Sequence, residues 1–380
     1  MGPLHGYRIV EIGAIGPGPF CAMMLADMGA DVIRLDRHEA ADLGLKRETR
    51  FATLNRGRKS VAIDLKAPGA VEAVMRLVRS ADGLIEGFRP GVTERLGLGP
   101  DACLRENPKL AYGRITGWGQ QGPLAQEAGH DINYLAIAGA LHGIGRKGAP
   151  PSPPSNLLAD MAGGGMYLAF GMVCAILEAS RSGQGQVVDA AMVDGVASLM
   201  TSVSGMYAAG LLNDERGGNY YDSGCPWYDS YETADGEFMS VGAIEKRFYG
   251  TMIERLELDA KTLPGQHDRA RWPELRRHFE AAFKTRTRAE WVSRFAGHDA
   301  CVAPVLTLRE AQGHAHLKER RTFIEIAGVP QPAPAPRFSR TRPDIPTPPP
   351  EPGQHTGEAL AAWGFSTDEI TELKRARVVF

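Results

Sequence analysis

The first half of the chain alternates strand-like and helix-like segments, and this alternation constrains the fold more than any other feature. Residues 8–12 (RIVEI) are typical of a buried strand, residues 20–28 of a helix ended by Gly29, and residues 31–35 of a second strand. Further segments follow in the same order, with strands predicted at 60–65, 83–86, 110–115 and 187–190 and a helix at about 70–80. Repeated βαβ units favour an α/β fold built on a large, doubly wound, Rossmann-like and mostly parallel sheet.

The turn after the first strand, residues 13–19 (GAIGPGP), is rich in glycine. Its glycines follow a GxxGxG spacing with two prolines among them, which differs from the GxGxxG fingerprint of dinucleotide-binding folds. The turn therefore predicts a ligand near the carboxyl end of the first strand without indicating NAD.

The second half of the chain predicts a smaller α+β domain. A long apolar helix is expected at about 191–211, a polar linker at 213–219, and a hairpin of strands 228–232 and 237–241 around Asp235 and Gly236. Helical patterns follow, and then a proline-rich segment (330–352) that is expected to be extended. The predicted domains are a large domain (1–212), a linker (213–226), a small domain (227–315), and a return linker with helices that pack on the large domain (316–380).

Charge and cysteine content narrow the function classes. A formal net charge of −2 argues against binding to nucleic acid or to a membrane surface, and no uninterrupted apolar run reaches the roughly 18 residues of a membrane span. The five cysteines are scattered without CxxC spacing, so neither a zinc site nor a disulfide framework is expected. The strand pattern starts at residue 7 and the last residues are not a peroxisomal signal, so a cytoplasmic location is expected.

The stretch from Gly129 to Gly165 carries the candidate chemistry, with His130 near one end and Asp160 near the other. Small and apolar residues predict a helix over 161–177 that is buried nearly all round, with Asp160 as its N-cap. In the simpler interpretation, Asp160 only caps a core helix and His130 is a hydrogen-bonded loop residue. The three glycines at 163–165 favour a ligand site instead, because glycine lets backbone N–H groups approach a ligand closely.

Basic residues are concentrated between Arg34 and Lys59. Most are expected to be solvated, but Arg37 and Arg89 directly follow predicted strands, where arginine can bind phosphate. The pattern predicts a ligand with several phosphates and an adenine. Farther on, Glu245 is interpreted either as an ordinary helix-start carboxylate or as a hydrogen-bond partner that orients His130.

Six motifs together resemble the family III CoA-transferases over essentially the whole chain. They are EIGAIGPGP (11–19), LADMGADVIRLDR (25–37), EGFRPGV (86–92), TGWGQQGP (116–123), GHDINY (129–134) and GQVVDAAMVDG (185–195). The GHDINY segment resembles the racemase branch of that family, and the earlier motifs are shared by all of it.

The resemblance implies a homodimer of two interlocked rings, with each active site where one chain's large domain meets the other's small domain. It implies that His130 and Asp160 are the two bases and that Glu245 pairs with His130. The CoA contacts that it implies are Ile15, Arg37, Ile63, Lys66, Gly87, Phe88, Arg89, Arg95, Gly129, Asp131 and Tyr134. Lys59 is left unassigned, because Arg58 interrupts the usual Asn-Arg-Gly-Lys motif.

Three functions are compatible with these residues. The first is a racemase that interconverts (2R)- and (2S)-2-methylacyl-CoA, a reaction of lipid metabolism, by proton transfer through an enolate with no metal or redox cofactor. Asp160 would be one base, and the N–H groups of the following glycines would stabilise the enolate oxygen. The second is a CoA-transferase with Asp160 as nucleophile, and the third is a nucleotide-binding module without catalysis. A histidine opposite the carboxylate favours the racemase.

Overall fold

The structure is a computed structural model that describes residues 1–39 and 46–380. It divides into two compact units, the first formed by residues 1–138, 154–199 and 319–380 and the second by residues 139–153 and 200–318. The strands are β1 (Arg8–Ile12), β2 (Asp31–Asp36), β3 (Lys59–Ala62), β4 (Gly83–Glu86), β5 (Ala111–Thr116), β6 (Gln186–Ala191), β7 (Tyr228–Glu232), β8 (Phe238–Gly242), β9 (Val302–Pro304), β10 (Phe323–Ile326) and β11 (Val329–Pro332).

The helices are α1 (Pro17–Asp27), α2 (Ala70–Arg79), α3 (Val92–Arg95), α4 (Pro100–Glu106), α5 (Asp131–Ile137), α6 (Tyr167–Ser182), α7 (Met192–Leu199), α8 (Thr201–Ala208), α9 (Lys246–Arg255), α10 (Trp272–Phe283), α11 (Arg288–Phe295), α12 (Leu308–Gly313), α13 (Ala315–Glu319), α14 (Thr356–Ala362) and α15 (Thr367–Arg375). A π-helical segment, Leu157–Met166, runs directly into α6. Short 3₁₀ turns lie at Thr49–Phe51, Thr53–Asn55, Leu141–Gly143 and Arg269–Arg271.

The first unit is built on a six-stranded sheet in the order β3-β2-β1-β4-β5-β6, and every pairing in it is parallel. This confirms the predicted α/β class and its parallel sheet. Strands β1 to β5 are buried on both faces, as helices on both sides of a parallel sheet require, whereas the first four residues of the edge strand β6 are exposed or half-buried.

Helix α6 packs closely on this sheet through two strand glycines. A Cβ at Gly113 would lie 2.6 Å from Sδ of Met172, and a Cβ at Gly83 would lie 2.6 Å from Cε of the same residue. The missing side chains in β4 and β5 therefore make room for Met172 on α6, which fixes the helix that follows Asp160.

The helix around Asp160 differs from its prediction. It begins after Asn156, which has a left-handed backbone (φ 62°), so Asp160 lies inside the first turn and is not the N-cap. The expectation of burial on all sides is also wrong, because a stripe of apolar side chains on the helix is exposed. Phe170 is 72% exposed, and Met166, Val173 and Leu177 lie along the same side.

The π-helical segment and α6 together span 26 residues, Leu157–Ser182, which are long and apolar enough to cross a membrane by length and composition alone. The sequence expectation concerned uninterrupted apolar runs, whereas this segment qualifies by its average composition. Half of the most apolar window is buried in the structure, and the core helix of a soluble protein has the same properties.

The long helix predicted at 191–211 is two helices, α7 and α8, separated at Met200. The two compact units also divide between residues 199 and 200, whereas the sequence analysis placed a domain boundary after residue 212. Residues 139–153 join the second unit, because Arg216 donates to the carbonyl oxygens of His142 (2.9 Å) and Ala149.

The second unit contains the antiparallel sheet β7-β8-β9, with the predicted hairpin turn at Asp235 and Gly236. Strand β9 is short and was not predicted. Aromatic residues form the core of this unit, among them Trp227, Tyr231, Phe279, Phe283 and Trp291.

Helix α14 returns to the first unit beside β3. The backbone N–H of His355 donates to the carbonyl oxygen of Ser60 at 3.0 Å, and the hydroxyl of Thr356 accepts from the N–H of Ala62 at 3.2 Å. Residues 355–356 are therefore bound along the edge of the six-stranded sheet.

Candidate active site

Two cavities lie at the carboxyl ends of the parallel strands, where doubly wound α/β proteins bind their ligands. The first, here the His130 cavity, has a volume of about 770 Å³ and is lined by both His130 and Asp160. Six predicted CoA contacts line the same cavity: Ile15, Gly87, Phe88, Arg89, Gly129 and Tyr134. The structure therefore brings the two candidate bases together in the first unit.

Asp160 lies in a partly desolvated environment and is only 9% exposed. Burial, and after it the negative charge of Asp131, raises its pKa from 3.8 to about 6, while His130 acts in the opposite direction. The side-chain amide of Asn156 donates to Oδ2 of Asp160 at 2.8 Å and so orients the carboxylate. Sequence analysis did not assign Asn156, although an asparagine four residues before an aspartate on a helix is a recognisable pair.

Asp131 supports the helix of Asp160. Its Oδ2 accepts hydrogen bonds from the backbone N–H groups of Ala159 and Asp160, both at 2.8 Å. Its side chain is buried, and it lines neither cavity. The resemblance implied a CoA contact for Asp131, whereas the structure places its carboxylate on the first turn of the neighbouring helix, where it satisfies otherwise free N–H donors.

His130 is exposed to the cavity and directly precedes α5 as its N-cap residue. The hydroxyl of Tyr134 donates to the carbonyl oxygen of Gly129 at 2.5 Å, and its ring packs edge-on against Trp118. A Cβ at Gly117 would lie 2.2 Å from the Tyr134 ring, so glycine is required for this packing. Burial raises the pKa of Tyr134 to about 12, which leaves its hydroxyl protonated as a donor that holds the loop before His130.

The three glycines after Asp160 have a packing role that was not predicted. A Cβ at Gly163 would lie 2.9 Å from the backbone nitrogen of Val196 on α7, and one at Gly165 would lie 2.8 Å from the carbonyl oxygen of Pro17 on α1. A Cβ at Gly164 would meet Met192 at 2.7 Å. All three are buried, and they allow helices α1 and α7 to approach the π-helical segment. None of the three lines the His130 cavity, and an approach of their backbone N–H groups to a ligand stays a prediction.

The second cavity, here the Arg37 cavity, has a volume of about 790 Å³ and is lined by the predicted CoA contacts Arg37, Ile63, Lys66 and Phe88. Phe88 lines both cavities. The loop that carries it is fixed by the buried Glu86, which accepts from the N–H of Phe88 at 2.7 Å and from Nε of Arg114 at 2.8 Å. Arg95, also predicted as a contact, lines neither cavity.

The basic residues between Arg34 and Lys59 divide into three groups. Arg34 and Arg58 are buried in ion pairs with Glu11, and Arg56 is buried in an ion pair with Asp27 at 2.6 Å, so these three are neither solvated nor available to phosphate. Arg37 and Arg47 line the two cavities. Nζ of Lys59, for which no contact was predicted, lies 3.8 Å from Asp31.

Glu245 belongs to the second unit, where it is exposed and immediately precedes α9. Its negative charge contributes to the raised pKa of Cys301 in the same unit. The pairing of Glu245 with His130 stays a prediction.

A parallel α/β sheet with two adjoining cavities at its carboxyl edge defines a ligand-binding α/β protein. Within that class, residues 4–356 match the family model described as CoA-transferase family III, and the chain belongs to this family. The membership that the six motifs indicated is confirmed.

Two mammalian proteins are similar to the chain over nearly its whole length. It is 47% identical to the alpha-methylacyl-CoA racemase of Mus musculus, in an alignment that covers 99% of this chain and 97% of the mouse protein. It is 46% identical to the human alpha-methylacyl-CoA racemase with the same coverage of both chains. Among solved structures, a CaiB/BaiF family protein from Brucella suis superposes with a TM-score of 0.83 at 25% identity, covering 95% of this chain and 99% of that one.

Proposed function

We propose that this chain interconverts the (2R) and (2S) forms of 2-methylacyl-CoA thioesters. The observation that carries the proposal is that an imidazole and a carboxyl group with a pKa near 6 line one cavity. The proposal is also supported by the similarity to two alpha-methylacyl-CoA racemases over 99% of the chain.

In the proposed mechanism, His130 and Asp160 face the α-carbon of the thioester from opposite sides. One removes the α-proton to give an enolate, and the conjugate acid of the other returns a proton to the opposite face. A catalytic group works best when its pKa lies near the operating pH, so burial suits Asp160 to this exchange. The exchange involves no net oxidation or reduction, so it needs no redox cofactor. We propose that it needs no metal ion either, because hydrogen-bond donors can stabilise the enolate.

The enolate oxygen requires hydrogen-bond donors. The N–H of Asp160 is already bound by Asp131, and the glycines that follow are packed against helices. Helix α5 begins directly after His130. The N–H of Asn133 donates to the carbonyl oxygen of His130 at 2.8 Å, whereas those of Asp131 and Ile132 have no acceptor among the described residues. We propose that this turn of α5 faces the developing negative charge.

The test is incubation of (2R)-2-methylacyl-CoA with the protein in deuterated water. We expect deuterium at the α-carbon together with loss of optical purity, measured by mass spectrometry and chiral chromatography. Tight acyl-CoA binding without exchange would contradict the proposal and would support the non-catalytic alternative.

Membership of the CoA-transferase family keeps transferase chemistry as a second candidate. In that reaction the Asp160 carboxylate would attack the thioester carbonyl and expel CoA thiolate, which gives a mixed acyl anhydride. The thiolate would then attack the aspartyl carbonyl, release the first acyl group as a carboxylate and leave an aspartyl-CoA thioester. Hydroxylamine traps such acylated carboxylates. Formation of a hydroxamate at Asp160 during turnover, without α-deuteration, would favour the transferase.

We propose in addition that the chain functions as an interlocked homodimer in the cytoplasm. An exposed apolar stripe runs from the end of the π-helical segment along α6 and is formed by Met166, Phe170, Val173 and Leu177. It supports a second copy as the partner, because a stripe of this kind is costly to leave in water. Phe170→Glu is expected to give a monomer in light scattering, and Phe170→Leu is expected to remain dimeric. A dimeric Phe170→Glu protein would contradict the use of this stripe.

A further inference from the structure

The Arg37 cavity has a wall that none of the predicted CoA contacts accounts for. Besides Arg37, Ile63, Lys66 and Phe88, it is lined by His38, Arg377 and Phe380. His38 follows β2, whereas Arg377 and Phe380 lie more than 300 residues later in the chain. A nucleotide in this cavity would therefore contact side chains from both ends of the sequence.

The segment 377–380 is fixed to the sheet by its backbone and its core side chains. The N–H of Asp64 donates to the carbonyl oxygen of Val378, and the N–H of Phe380 donates to that of Ala62, both at 3.0 Å. Val378 and Val379 are each 1% exposed and belong to the core of the first unit. The cavity wall is thus part of the packed structure.

Arg377 occupies a backbone position that usually requires glycine. It follows the end of α15 with φ 54°, and its N–H donates to the carbonyl oxygen of Lys374 while that of Val378 donates to Leu373. This is the hydrogen-bond pattern of a Schellman cap, in which a left-handed residue ends the helix and a side chain is unfavourable. Arg377 therefore carries its side chain on a backbone conformation that disfavours one.

The guanidinium of Arg377 is one of three cations at the cavity that form no ion pair or side-chain hydrogen bond with residues 1–39 and 46–380, together with Arg37 and Lys66. Three carboxylates also line the cavity. That of Asp36 is already bound by Arg34 and Ser60 at 2.8 and 2.6 Å, and that of Asp64 accepts from the backbone N–H of Lys66 at 2.9 Å. Three cationic side chains at the cavity are thus available to a ligand, and a doubly charged phosphate ester is complementary to them.

The aromatic part of the wall suits a purine. The rings of His38 and Phe380 stack with centroids 3.7 Å apart and an angle of 7° between their planes. Both rings line the cavity, so a base can stack against the pair. Phe88 joins this cavity to the His130 cavity, so one elongated ligand can occupy both.

We infer that Arg377 and Phe380 complete the binding site for the adenosine 3′-phosphate end of the CoA thioester. Arg377 pairs with the 3′-phosphate beside Arg37 and Lys66, and Phe380 supports adenine stacking. The inference rests on the proposed function only in taking a CoA thioester as the ligand, and direct binding of CoA tests it separately from catalysis.

Arg377→Gly is the informative variant, because glycine adopts the left-handed conformation freely and the fold is retained. Titration calorimetry with CoA and with 3′-dephospho-CoA separates the two phosphate sources. Arg377→Gly is expected to weaken CoA binding about tenfold and to leave 3′-dephospho-CoA binding unchanged. An equal loss for both ligands, or no loss for CoA, would overturn the assignment of Arg377 to the 3′-phosphate.

Arg375→Ala is the matched control, because this arginine lies on α15, pairs with Glu372 and lines neither cavity. Its affinity for both ligands is expected to match that of the parent protein. A tenfold loss of affinity in this variant would show that the Arg377 effect comes from a general loss of positive charge.

Phe380→Leu is expected to weaken the binding of both ligands about fivefold or more, because both carry adenine. Unchanged binding in Phe380→Leu would remove Phe380 from the site. If CoA binds as expected but no α-deuteration occurs, the inference stands and the proposed racemisation fails.

Discussion

The carboxylate of Asp131 accepts a hydrogen bond from the backbone N–H of Asp160 at 2.8 Å. Asp131 is the next residue after His130, so this bond links the loop of one candidate base to the helix of the other. It also places a second negative charge beside Asp160 and contributes to the raised pKa of that group. One side chain therefore influences both the spacing of the two bases and the acidity of one of them.

Replacement of Asp131 by asparagine separates these two effects. The amide oxygen can still accept from Ala159 and Asp160, but the negative charge is lost, so the pKa of Asp160 is expected to fall. Exchange that needs ionised Asp160 should then extend to lower pH, as measured by α-deuteration between pH 4 and 8. Asp131→Ala leaves two buried N–H groups unsatisfied and is expected to destabilise the protein by about 2–5 kcal/mol in denaturant titrations. An unchanged pH profile in Asp131→Asn would contradict the claim that the charge of Asp131 raises the pKa of Asp160.

His130→Ala is expected to affect the two stereoisomers unequally. The isomer whose α-proton faces His130 should lose about 10²–10⁴-fold in exchange rate, because a positioned base typically contributes that much. The other isomer should still exchange through Asp160, with retention of configuration. Asp160→Asn should show the opposite preference. Equal exchange of both isomers in His130→Ala, measured by proton NMR in deuterated water, would remove His130 from this role.

The parallel sheet could be expected from sequence because it depends on local patterns. Buried strands rich in valine and isoleucine, each followed by a helix, leave few alternatives to a doubly wound parallel sheet. His130 and Asp160 were also identifiable, since motif and residue type both indicated them.

The contacts of the site could not be predicted in the same way, because they depend on distant packing. Asp160 was expected to cap its own helix, but that cap comes from Asp131, 29 residues earlier. The glycines at 163–165 carry no local sign of whether they face a ligand or a helix, and their neighbours on α1 and α7 decide it. The wall formed by Arg377 and Phe380 depends on a backbone pairing with residues 62–64 that no short-range pattern contains.

The raised pKa of Asp160 predicts that this residue reduces stability above pH 6. Its pKa is raised from 3.8 to about 6 in the folded state, so folding favours the protonated form, and that stability is lost as the pH rises through this window. Asp160→Asn removes this pH-dependent loss of stability, since asparagine stays neutral. Relative to the parent protein, its free energy of unfolding is expected to be about 2–3 kcal/mol higher at pH 8 than at pH 4. If the difference in free energy of unfolding between the two proteins did not depend on pH in urea titrations, the raised pKa of Asp160 would be contradicted.

Helix packing behind Asp160 gives a prediction about stability that does not involve the ligand. A Cβ at Gly195 on α7 would lie 1.8 Å from the carbonyl oxygen of Gly163, so Gly195→Ala must push α7 away from the π-helical segment. We expect a loss of about 1–3 kcal/mol or more in the free energy of unfolding, as for other overpacked cores. Exchange activity should fall with it, because Asp160 lies on the displaced segment.

Gly205→Ala on α8 is the matched control. A Cβ at Gly205 meets no heavy atom of the described residues within 4 Å, and alanine forms helices better than glycine. This variant is therefore expected to be as stable as the parent protein or up to about 1 kcal/mol more stable. If both substitutions had the same effect in urea titrations, helix propensity alone would explain it. A loss confined to Gly195→Ala would show that the glycines around Asp160 are needed for the close contact between α7 and the segment that carries the carboxylate.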